Sequence, residues 1–248
     1  MADSVVLFLT SSTIGLFIAS YLIGSIPMGW LLVRIFYKKD LHKYGSGNVG
    51  ASNVMTTTHN YLLTAICVIF DFSKGALCML VAKEIGLPIY VQMIAGLGAI
   101  IGHDYSIFLK FSGGRGILTT LGVYFFISPW LALLALLVAA VFVPWHHLAL
   151  GCVAAAFSVL AAVSIFPETF GLVGMEDLAS VSTGVSLTVI LIFIRRLIAR
   201  RTQLSQNEPL WRIVLCRLFF DRDIPNREAW IHQDRNQSEI SNNPKASL

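Results

Sequence analysis

The chain has 248 residues, 56% of them hydrophobic and only 13% charged, with a mean hydropathy of +0.72. A soluble domain is nearer a quarter charged, so this composition, with its long uncharged runs, predicts a polytopic membrane protein. The net charge of +4 is uneven: ten of the eighteen Lys and Arg lie at or after Arg195. That bias suits a cytoplasmic end, and no basic patch with interleaved aromatics points to nucleic acid.

Val5 to Tyr37 is apolar apart from scattered Ser and Thr, Arg34 and a glycine-proline interruption. As one straight helix it would be roughly 50 Å long, against a hydrocarbon core of about 30 Å. Gly24-Ser25-Ile26-Pro27 is the expected break, because Pro27 removes a donor and clashes with the preceding turn. Arg34, Lys38, Lys39 and Lys43 mark the cytoplasmic side, which puts the N-terminus outside. Met1-Ala2-Asp3-Ser4 lacks the positive start of a cleaved signal peptide, so the first run reads as a retained helix.

Gly45-Ser46-Gly47-Asn48-Val49-Gly50-Ala51-Ser52-Asn53 follows. Three glycines within six residues let the backbone turn N–H groups towards one point, a natural phosphate seat, more so at a helix start. Ser46, Asn48, Ser52 and Asn53 add side-chain donors. A plain Gly/Ser/Asn turn between two membrane helices is the simpler reading. A second span, about Tyr61 to Val81, carries Asp71 and Lys74, which are three apart and share a helix face. Each costs about 2.5–3.5 kcal/mol at the bilayer centre unless paired or facing a wet cavity. They form either a structural ion pair or a lysine aimed at a phosphate.

Lys83 and Glu84 close the outer end, and a third span from about Leu87 to Ile101 returns to the cytoplasm. It delivers a second glycine-rich loop, Gly102 to Gly116, in which His103, Lys110 and Arg115 stand beside Gly113, Gly114 and Gly116. Two basic glycine loops on one membrane face suggest one shared anionic site. Ile117 to Val143 has no charge over 27 residues and is one tilted helix or two short ones meeting at Ser128-Pro129. The loop bearing Glu168, Glu176 and Asp177 is acidic and fits outside. The last span, about Val181 to Ile194, ends in Arg195, Arg196, Arg200 and Arg201 and fits inside. For Gly116 and His146 both to be inside, Ile117–Val143 must cross twice. The expected architecture is therefore an all-α integral membrane protein of about seven transmembrane helices, N-terminus outside and C-terminus cytoplasmic.

His146-His147 beside Pro144-Trp145 reads as an interfacial cluster rather than a metal site, since adjacent histidines rarely share one ion. Cys67, Cys78, Cys152 and Cys216 form no CxxC pair and read as small buried hydrophobes; no metal or cofactor is expected. The membrane domain is expected over residues 1–201 and a polar tail over 202–248. In the tail Trp211, Val214, Leu215, Leu218 and Phe219 have helical spacing, consistent with an amphipathic helix at about 210–220 on the inner leaflet. From about Arg222 onward few apolar anchors remain, and disorder is expected.

With these motifs in view, the chain resembles the bacterial acyl-phosphate:glycerol-3-phosphate acyltransferases, the PlsY family. The resemblance rests on Gly24-Ser25-Ile26-Pro27-Met28-Gly29, Gly45 to Asn53, Asp71-Phe72-Ser73-Lys74-Gly75, Gly102-His103 and Lys110 to Gly116, in that order over roughly residues 5–130. It implies transfer of a fatty acyl group from acyl phosphate to the first hydroxyl of glycerol 3-phosphate, giving lysophosphatidic acid. It also implies a bacterial cytoplasmic (inner) membrane location, a site facing the cytoplasm and, as a possible partner, an enzyme that produces acyl phosphate. Gly45, Ser46, Gly47, Asn48 and Gly50 with Asn53 would bind glycerol phosphate, and His42, Lys43 and Ser52 would be further substrate-binding residues. Ser25, Lys74, His103, Lys110 and Arg115 would act on the donor, with Gly113, Gly114 and Gly116 beside it. The His-x-x-x-x-Asp of soluble-domain glycerolipid acyltransferases is absent from all six histidines.

Four departures from the family pattern stand out. His42 takes the place of an Arg, Ser52 of a Thr and Arg115 of a Lys. Near the C-terminal end Arg195-Arg196, Ala199 and Glu208 align where the family shows Arg-His, Asn and Glu, so the His and Asn are missing. A transporter of phosphorylated metabolites would share the broken helices and the buried lysine, but it would usually show inverted repeats, which are not evident. A purely structural subunit would not need Lys74 and two basic glycine loops.

Overall fold

The computed structural model describes residues 2–198, 205, 208–226 and 228–230, with side chains from Thr10 onward. Ala199, Arg200, Arg201 and the whole tail beyond Trp230 lie outside the described residues. All regular structure among the described residues is helical. Among the described residues, four segments are long and apolar enough to cross a membrane: Thr10–Tyr37, Tyr61–Glu84, Leu148–Ile165 and Met175–Leu197. The chain forms two compact units, Met1–Pro27 with Ile69–Arg195, and Met28–Val68 with Arg196–Leu248.

The first unit holds α1 (Ala2–Ser25), most of α4 (Tyr61–Glu84), α5 (Ile89–Asp104), α6 (Ile117–Ile127), α7 (Pro129–Val141), α8 (Leu148–Ile165) and α9 (Leu178–Leu197) up to Arg195. Helix α1 ends at Ser25, where Pro27 predicts a break. Small residues bring helix backbones together, as membrane helices require when lipid offers no hydrophobic drive. A Cβ on Gly24 would run into the Ala99 carbonyl, and one on Gly102 into the Tyr21 carbonyl. Gly75 and Gly122 do the same between α4 and α6, against the carbonyls of Thr119 and Phe72. Met79, Ile100, Val123, Ile127, Leu131, Val159, Val163, Val181 and Val185 fill the core of this unit. The uncharged stretch resolves into two short helices: Ser128 Oγ accepts from Trp130 N at 3.2 Å and caps α7, and Pro129 opens it. The third span extends further than its apolar run predicts. Gly102, His103 and Asp104 are the last turn of α5, not part of a loop.

The second unit contains α2 (Met28–Tyr37), a 3-10 turn at Leu41–Lys43, α3 (Ala51–Thr58), the start of α4 and α10 (Leu210–Phe220). Helix α10 buries Ile213, Cys216 and Arg217 and exposes Leu210, Trp211, Leu215 and Phe219. Its inner face is tied by charge. Arg217 Nε donates to Asp223 Oδ1 at 2.6 Å and Arg217 Nη1 to the Leu197 carbonyl at 2.7 Å. Arg196 Nη1 donates to the Leu218 carbonyl at 2.6 Å, and Ser205 Oγ to Asp223 Oδ2 at 3.1 Å. Over the described residues between Arg222 and Trp230 this corrects the expectation of disorder, since Asp223, Ile224 and Trp230 are buried; the part of that stretch beyond Trp230 lies outside the described residues. A buried carboxylate paired to arginine supplies the anchor that a count of apolar residues misses.

Candidate active site

The first glycine loop is built within the second unit. Asp40 caps the 3-10 turn, accepting from Trp30 Nε1 at 3.0 Å and from His42 N at 3.2 Å. Burial pushes the Asp40 carboxyl up, but these hydrogen bonds and the His42 ring outweigh it and hold the group below its ordinary 3.8. The carboxylate therefore stays charged at neutral pH and holds the His42 ring, Nδ1 to Oδ1 at 3.1 Å. Lys43, Ser46 and Ser52 are exposed.

Asn53 closes the loop. It is 3% exposed, and its side-chain amide donates to the carbonyls of Leu41 (3.2 Å), Tyr44 (2.9 Å) and Asn48 (2.7 Å). Its Oδ1 accepts from Ser46 N at 3.0 Å. Gly45 and Gly47 take left-handed φ values of 57° and 69°, which glycine adopts without steric penalty. Gly50 does not, at φ −82°, and it caps α3. The N–H groups of Ser46, Gly47 and Asn48 are bonded inside the loop. Those of Val49, Gly50, Ala51 and Ser52 have no hydrogen-bond partner among the described residues. Unbonded N–H groups at a helix start, with the positive end of its dipole, suit an anion.

The first unit holds the buried cation. Lys74 Nζ lies 2.8 Å from Asp71 Oδ1 and 2.8 Å from His103 Nδ1, and both Lys74 and Asp71 are 2% exposed. Asp71 Oδ1 and His103 Nδ1 are further apart, at 3.4 Å. An ammonium group can only donate, so Nδ1 accepts and the ring proton belongs on Nε2. Lys74 Nζ is also 3.5 Å from the Ile26 carbonyl, in the break after α1. Next to that break, Ser25 Oγ is buried and has no partner among the described residues, while its carbonyl accepts from Ser106 Oγ at 2.5 Å.

The second glycine loop packs against the end of α5. Gly113 N donates to the Asp104 carbonyl at 3.2 Å and Gly114 N to the His103 carbonyl at 2.8 Å. A Cβ on Gly114 would run into the His103 ring, and one on Gly113 into the His103 carbonyl. Gly116 caps α6 at φ 66°, with the Asp104 carboxylate 2.8 Å from where its Cβ would lie. This helix start thus already has an anion beside it, unlike the start of α3. Lys110 is exposed on a left-handed turn, and Arg115 Nη1 donates to the Arg195 carbonyl at 3.3 Å.

Sequence reasoning missed Arg195 and Asp104 as members of this cluster, and it offered Asn53 as a donor to ligand rather than as the loop's closing pin. An Asn three residues into a helix that follows a glycine loop was the available signal, since such side chains favour local backbone acceptors. Nothing in the spacing marks Arg195. Of the departures near the C-terminus, Arg196 is buried in the α10 network, and Glu208 pairs with Arg212 at 2.9 Å.

Residues 14–205 match the family described as glycerol-3-phosphate acyltransferase. Glycerol-3-phosphate acyltransferase 4 of Dehalococcoides mccartyi strain CBDB1 is 39% identical over 217 residues, covering 87% of this chain and 91% of that protein. Glycerol-3-phosphate acyltransferase 5 of a second strain of that species is 38% identical, covering 91% and 95%. The crystal structure of PlsY (YgiH), an integral membrane glycerol 3-phosphate acyltransferase, in its glycerol 3-phosphate form, superposes with a TM-score of 0.64. It is 32% identical and covers 75% of this chain and 88% of that one. With the helical architecture and the glycine loops already in place, the chain belongs to the glycerol-3-phosphate acyltransferase family and is an acyltransferase of the PlsY kind.

Proposed function

We propose that the chain transfers a fatty acyl group from acyl phosphate to the sn-1 hydroxyl of glycerol 3-phosphate, releasing lysophosphatidic acid and phosphate. The observation that carries this reading is the Asn53-closed loop with its unbonded N–H groups at the start of α3. That loop would take the phosphate of glycerol 3-phosphate, with Lys43 and Ser52 beside it. Ser25, Lys74, His103, Lys110 and Arg115 would serve the donor. The mixed anhydride is already activated, so placement contributes more than a strong base. The substrate hydroxyl forms the new ester bond as the carbonyl carbon–phosphate oxygen bond breaks, and a phosphate oxygen accepts the hydroxyl proton. Cations and N–H donors near the carbonyl stabilise its developing negative charge.

The topology belongs to the same proposal: seven spans, formed by α1 with α2 and then α4 to α9, N-terminus outside, with the site on the cytoplasmic side of a bacterial inner membrane. An enzyme that makes acyl phosphate is the partner this reading implies. The test is direct. Purified protein in lipid mesophase receives labelled glycerol 3-phosphate with palmitoyl phosphate or palmitoyl-CoA, and lysophosphatidate should form from the phosphate alone. Product from the CoA ester would refute the donor. Uptake into vesicles without product would favour transport.

For α10 we propose a place on the inner leaflet. The outward face of Trp211, Leu215 and Phe219 is apolar and aromatic, as interfacial helices are, and the Arg196 and Arg217 contacts pin the opposite face. Brominated lipids should quench tryptophan fluorescence less in Trp211→Phe than in the unmodified protein. Equal quenching in the two would place the helix off the membrane.

A further inference from the structure

Arg195 enters the sequence reading as a positive charge at the end of the last span and as the first residue of the Arg195-Arg196 pair aligned with the family's Arg-His, with no role given to it. In the structure its guanidinium is a fork on the second glycine loop. Nε donates to the Gly114 carbonyl at 2.8 Å and Nη2 to the Gly113 carbonyl at 2.9 Å. The face of the group lies over the Tyr105 ring, 5.4 Å from its centre. The same two glycines send their N–H groups the other way, to the carbonyls of Asp104 and His103. The Gly113–Gly114 peptide is therefore held at both ends, its carbonyl by Arg195 at the end of α9 and its N–H by the His103 carbonyl at the end of α5, while the Gly114–Arg115 peptide is held at its carbonyl. Because a trans peptide points its C=O and N–H in opposite directions, holding the Gly114 carbonyl on Arg195 turns the Arg115 N–H away from that guanidinium. The Arg115 side chain returns a bond to the Arg195 carbonyl, so each arginine grips the backbone of the other's segment.

We propose that Arg195 is a positioning residue for the Gly113–Gly116 loop, setting the direction in which Arg115 meets the donor phosphate. This rests on the proposed acyl-phosphate reaction. The work is done by the planar fork, since two parallel bonds to adjacent carbonyls need a guanidinium; an ammonium of the same charge reaches one carbonyl at a time.

The charge and the fork are separated by two variants, Arg195→Lys and Arg195→Gln, assayed for both substrates and for thermal unfolding in detergent. Both should raise the KM for palmitoyl phosphate by about tenfold, by similar amounts, with the KM for glycerol 3-phosphate within about twofold of wild type. Wild-type behaviour of Arg195→Lys beside a defective Arg195→Gln would show that the charge matters and not the fork, and would overturn the proposal. So would unchanged kinetics in both, or an equal rise of the KM values for both substrates together with a lower unfolding midpoint, which would make Arg195 purely structural. Absence of acyl transfer in wild type would remove the underlying reaction and this role together, whereas an active wild type with unaffected variants would remove this role alone.

Discussion

Asn53→Ala should lower kcat/KM for glycerol 3-phosphate by about 100-fold or more, close to 2.7 kcal/mol of transition-state stabilisation. The variant loses the acceptor for Ser46 N and the donor to three carbonyls. Alanine can replace none of these, and each polar group left buried without a partner costs about 1–3 kcal/mol, so the loop must open to water to recover them. An open loop no longer holds the N–H groups of Val49 to Ser52 together at the start of α3. Gly50→Ala is the companion measurement. At φ −82° the site accepts alanine, and the nearest atom to the new Cβ is Asn48 Nδ2 at 3.9 Å. The fold should be undisturbed, so a raised KM there would report the approach of the phosphate itself. Gly47→Ala is less informative, because φ 69° and a 3.1 Å contact with the His42 carbonyl already oppose a side chain. An Asn53→Ala enzyme that still saturates normally would mean the loop is a hinge between helices and nothing more.

The second large effect concerns Lys74. Lys74→Met should destabilise the protein by about 3–5 kcal/mol, because the Asp71 carboxylate, 2% exposed, loses its ammonium partner. The unfolding midpoint in detergent should fall and activity should disappear. The double variant Asp71→Asn with Lys74→Met separates stability from chemistry. With both charges gone the desolvation problem goes too, and such replacements are often neutral or better, so the midpoint should return. Transfer should not, if the ammonium also meets a substrate phosphate. Recovery of turnover along with stability would make the pair a structural brace and would leave Lys110 and Arg115 as the candidate cations for the donor.

Legibility in the sequence followed the range of the interaction. Pro27 and Pro129 mark breaks because a missing N–H acts within one turn, and both breaks are where proline predicts them. Asp71 and Lys74 announce their contact by being three apart on one helix. The end of α5 was harder to read. Gly102 looks like the start of a loop, yet it continues the helix, and it is glycine because the Tyr21 carbonyl fills the space a side chain would need. Arg195 and Asn53 were illegible as clamps for a different reason: their partners are backbone carbonyls, which every residue has and which carry no signature. The Arg217–Asp223 pair was hidden by composition, since a charged stretch poor in apolar residues looks the same whether its charges are solvated or locked together.

The close approach of α1 and α5 also constrains the order of events during synthesis. Helix α1 leaves the ribosome first and carries Ser20 and Ser25, which end up fully covered. Their neighbours on α5, the Gly98, Ala99 and Gly102 stretch, are translated only after α4 has been made. Until then the first span has Ser20, Ser25 and Gly24 without the α5 backbone that later covers them. The packing partner of the first span therefore exists only once four further helices, α2 to α5, have been made.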